Sequence, residues 1–276
     1  MTLGPFAKWL LRGGTALTLV FVYVPLAIIA LYAFNSSRIQ AWPIDGFTLH
    51  WFERALHNEG ARDALWVSIK AAFLATLVAL VLGTLASLAV SRYHFFGRET
   101  ISFFIILPIA LPGIVTGMAL NATFNTVGIS LGLITIVIGH ATFCIVLIYN
   151  NAVARLRRVS EHLEEASADL GADSWQTFRY ITFPQLRSAL LAGALLAFAL
   201  SFDEVIVTTF TAGPDFTLPI WILNNLSRPN QLPVVNVVAV FLILLSTIPV
   251  YLATRLSRDT GAVAPTAGGA QAAGAR

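Results

Sequence analysis

The sequence predicts an all-α polytopic membrane protein with six spanning helices. Of the 276 residues, 57% are hydrophobic and only 11% charged. Several apolar runs reach the length of about 20 residues that crosses a bilayer. The charges gather between these runs instead of being scattered through them, so the excess of bases, 17 against 14 acids, reads as topology and not as a nucleic-acid surface.

Each element follows from local pattern. Lys8 and Arg12 precede an apolar run from Thr15 to Phe34 that contains Pro25. A signal peptide has the same charge order, but its apolar core is usually about 7–15 residues long and a small-residue cleavage site follows. This run is longer and reads as a first spanning helix. Asn35 to Arg62 is a polar loop in which Trp42, Pro43 and Gly46 mark irregular chain. Within it Thr48 caps a short helix, Phe47 and Phe52 are placed as a hydrophobic staple, and Trp51 suits the membrane interface.

The second span runs from about Ala64 to Val90 and is followed by Arg92, Tyr93, His94 and Arg98. The third, Ile101 to about Leu120, holds Pro108 and Pro112, which break hydrogen bonds, and Gly113 and Gly117, which admit close neighbours. It should be bent, either as a pathway-lining helix or as a kinked packing helix. An uncharged outer turn is expected over Asn121 to Ser130. The fourth span is Leu131 to about Ala152, with His140 near its middle as a neutral histidine hydrogen-bonded to a neighbouring helix. The fifth is placed at Ser188 to Phe210, an outer segment at Thr211 to Leu232 with a short helix near Ile220 to Leu226, and the sixth at Pro233 to Thr254, closed by Arg255 and Arg258. Residues 1–258 thus form one transmembrane domain with an extramembrane loop at 155–187, and the Ala/Gly-rich tail 259–276 is expected to be disordered.

Six spans put both termini on one side. That side carries Lys8, Arg12, Arg92, Arg98, Arg155, Arg157, Arg158, Arg179, Arg187, Arg255, Arg258 and Arg276, against Arg38, Arg54, Arg62 and Arg228 on the other. The excess of basic residues places the termini and the 155–187 loop in the cytoplasm.

The loop from Glu161 to Pro184 is too polar to lie in hydrocarbon, so Glu161, Glu164, Glu165, Asp169 and Asp173 must face water. Leu163, Ala166 and Leu170 share a helical face, Gly171 serves as a C-cap, and Asp173 with Gln176 resembles a capping box for a second short helix carrying Trp175, Phe178 and Ile181. Pro184 stops that helix or starts the next span. The order Glu165-Ala166-Ser167, three residues, Gly171, nine residues, Ile181, one residue, Phe183-Pro184 resembles the EAA loop of ABC-importer permeases, with Ser167 in place of Ala and Phe183 in place of Leu. The resemblance implies a type I ABC importer permease fold and makes Glu165, Ala166, Ser167, Gly171, Ile181 and Pro184 the residues of a coupling helix docked on an ATP-hydrolysing partner. A plain amphipathic loop lying on the membrane is the alternative.

Asp203 and Glu204, in SFDEVIVTTF, fall inside the fifth span. Each acid there costs about 2–3 kcal/mol unless paired, hydrated or met by a cation. Two readings stay open: an acidic patch on a path for cationic solutes, or a pair between one acid and Lys70 of the second span. Lys8 and Lys70 are the only lysines and neither follows G-x-x-x-x-G-K-[ST], so the chain is not expected to be its own ATPase. H-E-x-x-H and G-x-S-x-G are absent too, and Cys144 stands alone, which leaves no cysteine metal site or internal disulfide.

The stretches FNSSRIQAWPIDGFTLHWF, ALPGIVTGMAL and SFDEVIVTTFTAGPDFTLPIWI, together with the loop, are similar to the second permease subunit of spermidine/putrescine importers over nearly the whole chain apart from the tail. That resemblance implies a non-catalytic subunit of the bacterial inner membrane working by alternating access. Its partners would be a sister permease, two ATP-binding subunits that hold ATP and Mg, and an external solute-binding protein, with no cofactor in this chain and no nucleic acid. Another small solute, a secondary transporter or channel needing no ATPase, and an intramembrane enzyme are the rival readings.

Overall fold

The computed structural model describes residues 4–160 and 162–259. The expected tail at 260–276, Arg276 and Glu161 lie outside the described residues. Asp259, placed in that tail, instead ends the last helix. The chain divides into two compact units, one running through Asp63 with Trp221–Leu245, the other comprising Ala64–Ile220 with the chain from Ser246 onward.

In the first unit, α1 (Pro5–Ala33) is a 29-residue apolar helix that buries only Ala33. The chain then turns through an irregular loop into α2 (His50–Leu56). The loop is held by a single antiparallel bridge between Asn35 and Phe47. Trp51 is buried within this unit, and its Nε1 donates to the Asn35 carbonyl at 2.8 Å. Phe52 packs on Phe34 with ring centroids 4.8 Å apart, while Phe47, its expected staple partner, stays exposed. A nearby polar acceptor and an aromatic neighbour thus decided both side chains. Phe52 also meets Phe241 of α12 (Leu232–Asp259) edge-on at 6.3 Å.

The second unit holds most of α3 (Glu59–Arg92), then α4 (Arg98–Ala110), α5 (Gly113–Val127) and α6 (Leu133–Leu156). Among the described residues five helices are long and apolar enough to cross a membrane, and six if α4 and α5 count as one span. Those two meet at 104°, far more than a bend. The residue before a proline is driven out of the helical region, and Leu111, before Pro112, is extended at φ −81°, ψ 145°. Pro112 then starts α5 with its carbonyl accepting from Val115 and Thr116. The expected outer turn is mostly helical, since α5 runs to Val127 and only the residues between it and Leu133 form the turn.

The fifth span also departs from expectation. A helix runs without interruption from Ser174, through α8 (Ser174–Thr177), a π-helical turn (Phe178–Thr182) and α9 (Phe183–Phe202). Pro184 stands in the first turn of α9, as expected of a residue that starts a span, but the helix before it runs on without a stop. Lacking an N–H, the proline leaves the Tyr180 carbonyl without its usual partner, and the chain absorbs the defect by widening to a π turn in which Phe183 N–H reaches the Phe178 carbonyl. The helix ends at Phe202, earlier than expected, and restarts as the short α10 (Ile206–Thr211), before α11 (Leu218–Leu226). The core lies where α6 packs along α9: Cys144, Ile148, Ala152 and Leu156 meet Leu186, Leu190 and Ala197, all buried.

Candidate functional site

Two places gather the polar side chains singled out in the sequence. The first is the loop between α6 and α9. α7 (His162–Asp169) ends in a Schellman turn: Ala172 N–H reaches the Ser167 carbonyl at 3.1 Å and Gly171 N–H the Ala168 carbonyl at 2.9 Å. This requires a left-handed residue, and Gly171 has φ +85° with nothing within 4 Å of where a Cβ would stand. Glycine is therefore demanded by backbone conformation and not by space. Asp173 forms the expected capping box, Gln176 N–H donating to its Oδ1 at 2.8 Å and its own N–H to Gln176 Oε1 at 3.0 Å.

Ser167, the departure from alanine, has its Oγ 3.0 Å from Thr177 Oγ1 and so ties α7 to α8. Glu164, unmarked by the motif, ties the loop to the spans: its Oε1 accepts from Thr182 Oγ1 at 2.9 Å and from Arg92 Nε at 3.1 Å. Glu165 instead faces outward beside His162 Nδ1 at 2.9 Å. Ala166 and Pro184 are exposed and Ile181 half-buried. Leu170 and Trp175 stand 89% and 64% exposed on a segment too polar to lie in lipid, an apolar surface of the kind that covers itself with a protein partner.

The second place is the break between α9 and α10. Asp203 and Glu204 are not on a continuous helix. Twenty residues of α9 precede Asp203, about 30 Å of axis, so the acids lie at the end of this helix remote from the loop. Glu204 turns back to cap α10, its Oε1 accepting from Val207 N–H at 2.9 Å, whereas Asp203 is exposed. Among the described residues neither acid forms a salt bridge with Lys70, which is itself exposed. The Lys70 pair is thus absent in this conformation.

His140 of α6 spans the break. Its Nδ1 lies 2.7 Å from Ser201 Oγ on α9 and its Nε2 2.8 Å from Thr208 Oγ1 on α10. Thr208 already donates to the Glu204 carbonyl at 2.7 Å, so it must accept from His140, which puts the ring proton on Nε2 and makes Ser201 the donor to Nδ1. The expected bond to a neighbouring helix is present, twice over. α10 is wedged beside α5 by glycine: a Cβ on Gly117 would stand 2.6 Å from the Phe210 ring, and Asn121 Nδ2 donates to the Phe210 carbonyl at 2.6 Å. Asp215, overlooked in the sequence, accepts from Leu133 N–H at 2.9 Å and so caps α6 from 82 residues away; no local pattern marks it.

The chain belongs to the family described as binding-protein-dependent transport system inner membrane component, whose model matches residues 79–261. It is 31% identical over 252 residues to the spermidine/putrescine transport system permease protein PotC of Escherichia coli (strain K12), covering 91% of this chain and 95% of that protein. The putrescine transport system permease protein PotI of the same strain is 31% identical over 232 residues, 81% of this chain and 82% of that one. Among solved structures, a bacterial ABC transporter involved in the import of the acidic polysaccharide alginate aligns with TM-score 0.69 at 17% identity, over 94% of this chain and 99% of that one. The type I importer permease fold is thereby established.

Proposed function

We propose that this chain is the permease subunit of an ATP-driven importer of polyamines in the bacterial inner membrane, with both termini and the α7–α8 loop in the cytoplasm. The exposed carboxylate of Asp203, set at a helix break with no base paired to it among the described residues, is the observation that carries the solute assignment. A polyamine is a flexible polycation, and an acid at membrane depth is offset by such a ligand. The names of the relatives support the same solute class.

In this reading Leu170, Trp175 and Glu165 face an ATP-binding partner, Ser167 and the Gly171 turn hold α7 and α8 at their mutual angle, and Ile181 and Pro184 carry movement into α9. Ala166 keeps the docked face slim. ATP and Mg belong to two partner subunits, since this sequence has no phosphate-binding loop. A sister permease completes the pathway and an external binding protein delivers solute. Closure of the ATP-binding subunits would swing α7 and α8 and, through α9, the Asp203 break.

The test is ATPase activity of the co-purified assembly in lipid, with a panel of solute-loaded binding proteins. Stimulation by a polyamine-loaded protein, lost in Asp203→Asn, supports both the importer and the acidic site. Stimulation that survives the substitution discards the acidic site alone. Uptake by this chain without any ATP-binding subunit discards the whole reading.

A further inference from the structure

At the end of the second unit that carries the α7–α8 loop, the last turn of α3, the first turns of α4 and the last turns of α6 surround a cavity of about 800 Å³. Arg92, Arg98 and Arg157 line it, with Glu99 as the one acid among the described lining residues. Arginine at the C-terminal ends of α3 and α6 complements their dipoles, which accounts for Arg92 and Arg157 taken singly. It does not account for Arg98, at the start of α4, nor for the three sharing one volume.

The uncharged groups point the same way. Tyr149 donates its hydroxyl proton to Ser102 Oγ at 2.8 Å, which leaves the Ser102 proton for another acceptor. Both residues line the cavity. Donors and guanidinium groups therefore converge, while Val90, Ile106 and Val153 supply an apolar side. This is the pattern that a phosphate attached to an apolar body would satisfy. A cationic solute would meet the wrong sign of charge here.

We propose that this cavity is a binding site for a phosphate-bearing anion, held by Arg98 and Arg157 with Ser102 as a neutral donor. A phospholipid headgroup and free phosphate share that chemistry. The site stands independently of which solute is carried. Its position also gives it leverage, because Arg92 lines the cavity while its Nε holds Glu164 of α7. An anion in the cavity would bear on the residue that tethers the loop.

The full chain, co-purified with the subunits it binds, is reconstituted into vesicles of phosphatidylglycerol and phosphatidylcholine in equal parts, re-extracted, and assayed for the two retained lipids. A parallel sample without added lipid is assayed for thermal stabilisation by inorganic phosphate. The wild type should retain phosphatidylglycerol preferentially, and Arg98→Gln with Arg157→Gln should lose roughly tenfold of that preference. Lys8→Gln with Arg12→Gln, removing the same charge elsewhere, should keep it. No lipid preference but stabilisation by phosphate, absent from the Arg98/Arg157 variant, would assign the site to the free anion. Should the glutamine pair fail to accumulate, Ser102→Ala should still weaken retention by about fivefold. Neither response in the wild type, or equal responses in the wild type and the cavity variants, overturns the site.

Discussion

Arg92, in the last turn of α3, grips Glu164 of α7 with its Nε 3.1 Å from both carboxylate oxygens, across 72 residues of sequence. The side chains are only 13% and 22% exposed, so this pair is better shielded than an ordinary surface bridge. Since Thr182 shares the same carboxylate, one acid joins α7 to α3 and to the π turn leading into α9.

Removing either partner takes an ion pair away from a mostly dry place. Glu164→Ala and Arg92→Ala should each destabilise the fold by roughly 1–3 kcal/mol, discounted from the fully buried case for the residual exposure. The double variant should cost less than the sum. A double-mutant cycle on thermal unfolding in detergent checks this, and strictly additive losses would show that the pair is not coupled. Glu165→Ala, by contrast, should leave unfolding unchanged and register only in coupled transport.

The α7–α8 turn predicts a ranking by backbone conformation. With φ at +85° and open space beyond its Cα, Gly171 should be replaceable by asparagine at little cost. Gly171→Val should cost about 1–2 kcal/mol locally and tilt α7 against α8, uncoupling ATP hydrolysis from uptake while insertion stays intact. Gly171→Trp should uncouple as Val does. Full transport by the tryptophan variant would sink the claim, and failure of tryptophan alone would locate the constraint in the partner's groove and not in the turn.

What was legible beforehand follows the range of the interactions concerned. The Schellman turn and the capping box close within six residues, so Gly171, Asp173 and Gln176 announced them. The broken third span was half legible: Pro108 and Pro112 forecast a bend, but its 104° is set by the extended Leu111. The break at Asp203 was not legible at all, having neither glycine nor proline, and the apolar run across it continues to Phe210. Long-range bonds from His140 and the close pass of Gly117 make it. Glu164 was read only as one of several loop acids, because its partner is an arginine far away in sequence.

The Gly117 contact is steric. A methyl at this position would stand inside contact distance of the Phe210 ring, so Gly117→Ala should destabilise by about 1–3 kcal/mol, with Phe210→Leu recovering part of that loss. Unfolding midpoints of the two single variants and the pair decide it. Failure of Phe210→Leu to rescue would mean that α10 does not yield around the ring.

His140 predicts something different, a polar defect at a helix break. His140→Ala removes both hydrogen bonds and leaves the hydroxyls of Ser201 and Thr208 to find new partners in a site sealed from solvent. Ser201 can fall back on its own helix and Thr208 keeps the Glu204 carbonyl, so the polar loss should stay near 1–2 kcal/mol for two bonds inside a membrane bundle. The vacated ring volume adds a cavity cost of similar size. His140→Gln offers one donor and one acceptor and should recover part of the polar loss. The distinguishing readout is at Asp203: a cysteine placed there should react with a water-soluble thiol reagent at an altered rate in the His140→Ala background, because the imidazole fixes α9 against α10 on both sides of that residue. An unaltered rate would reduce His140 to a packing residue, whatever its effect on unfolding.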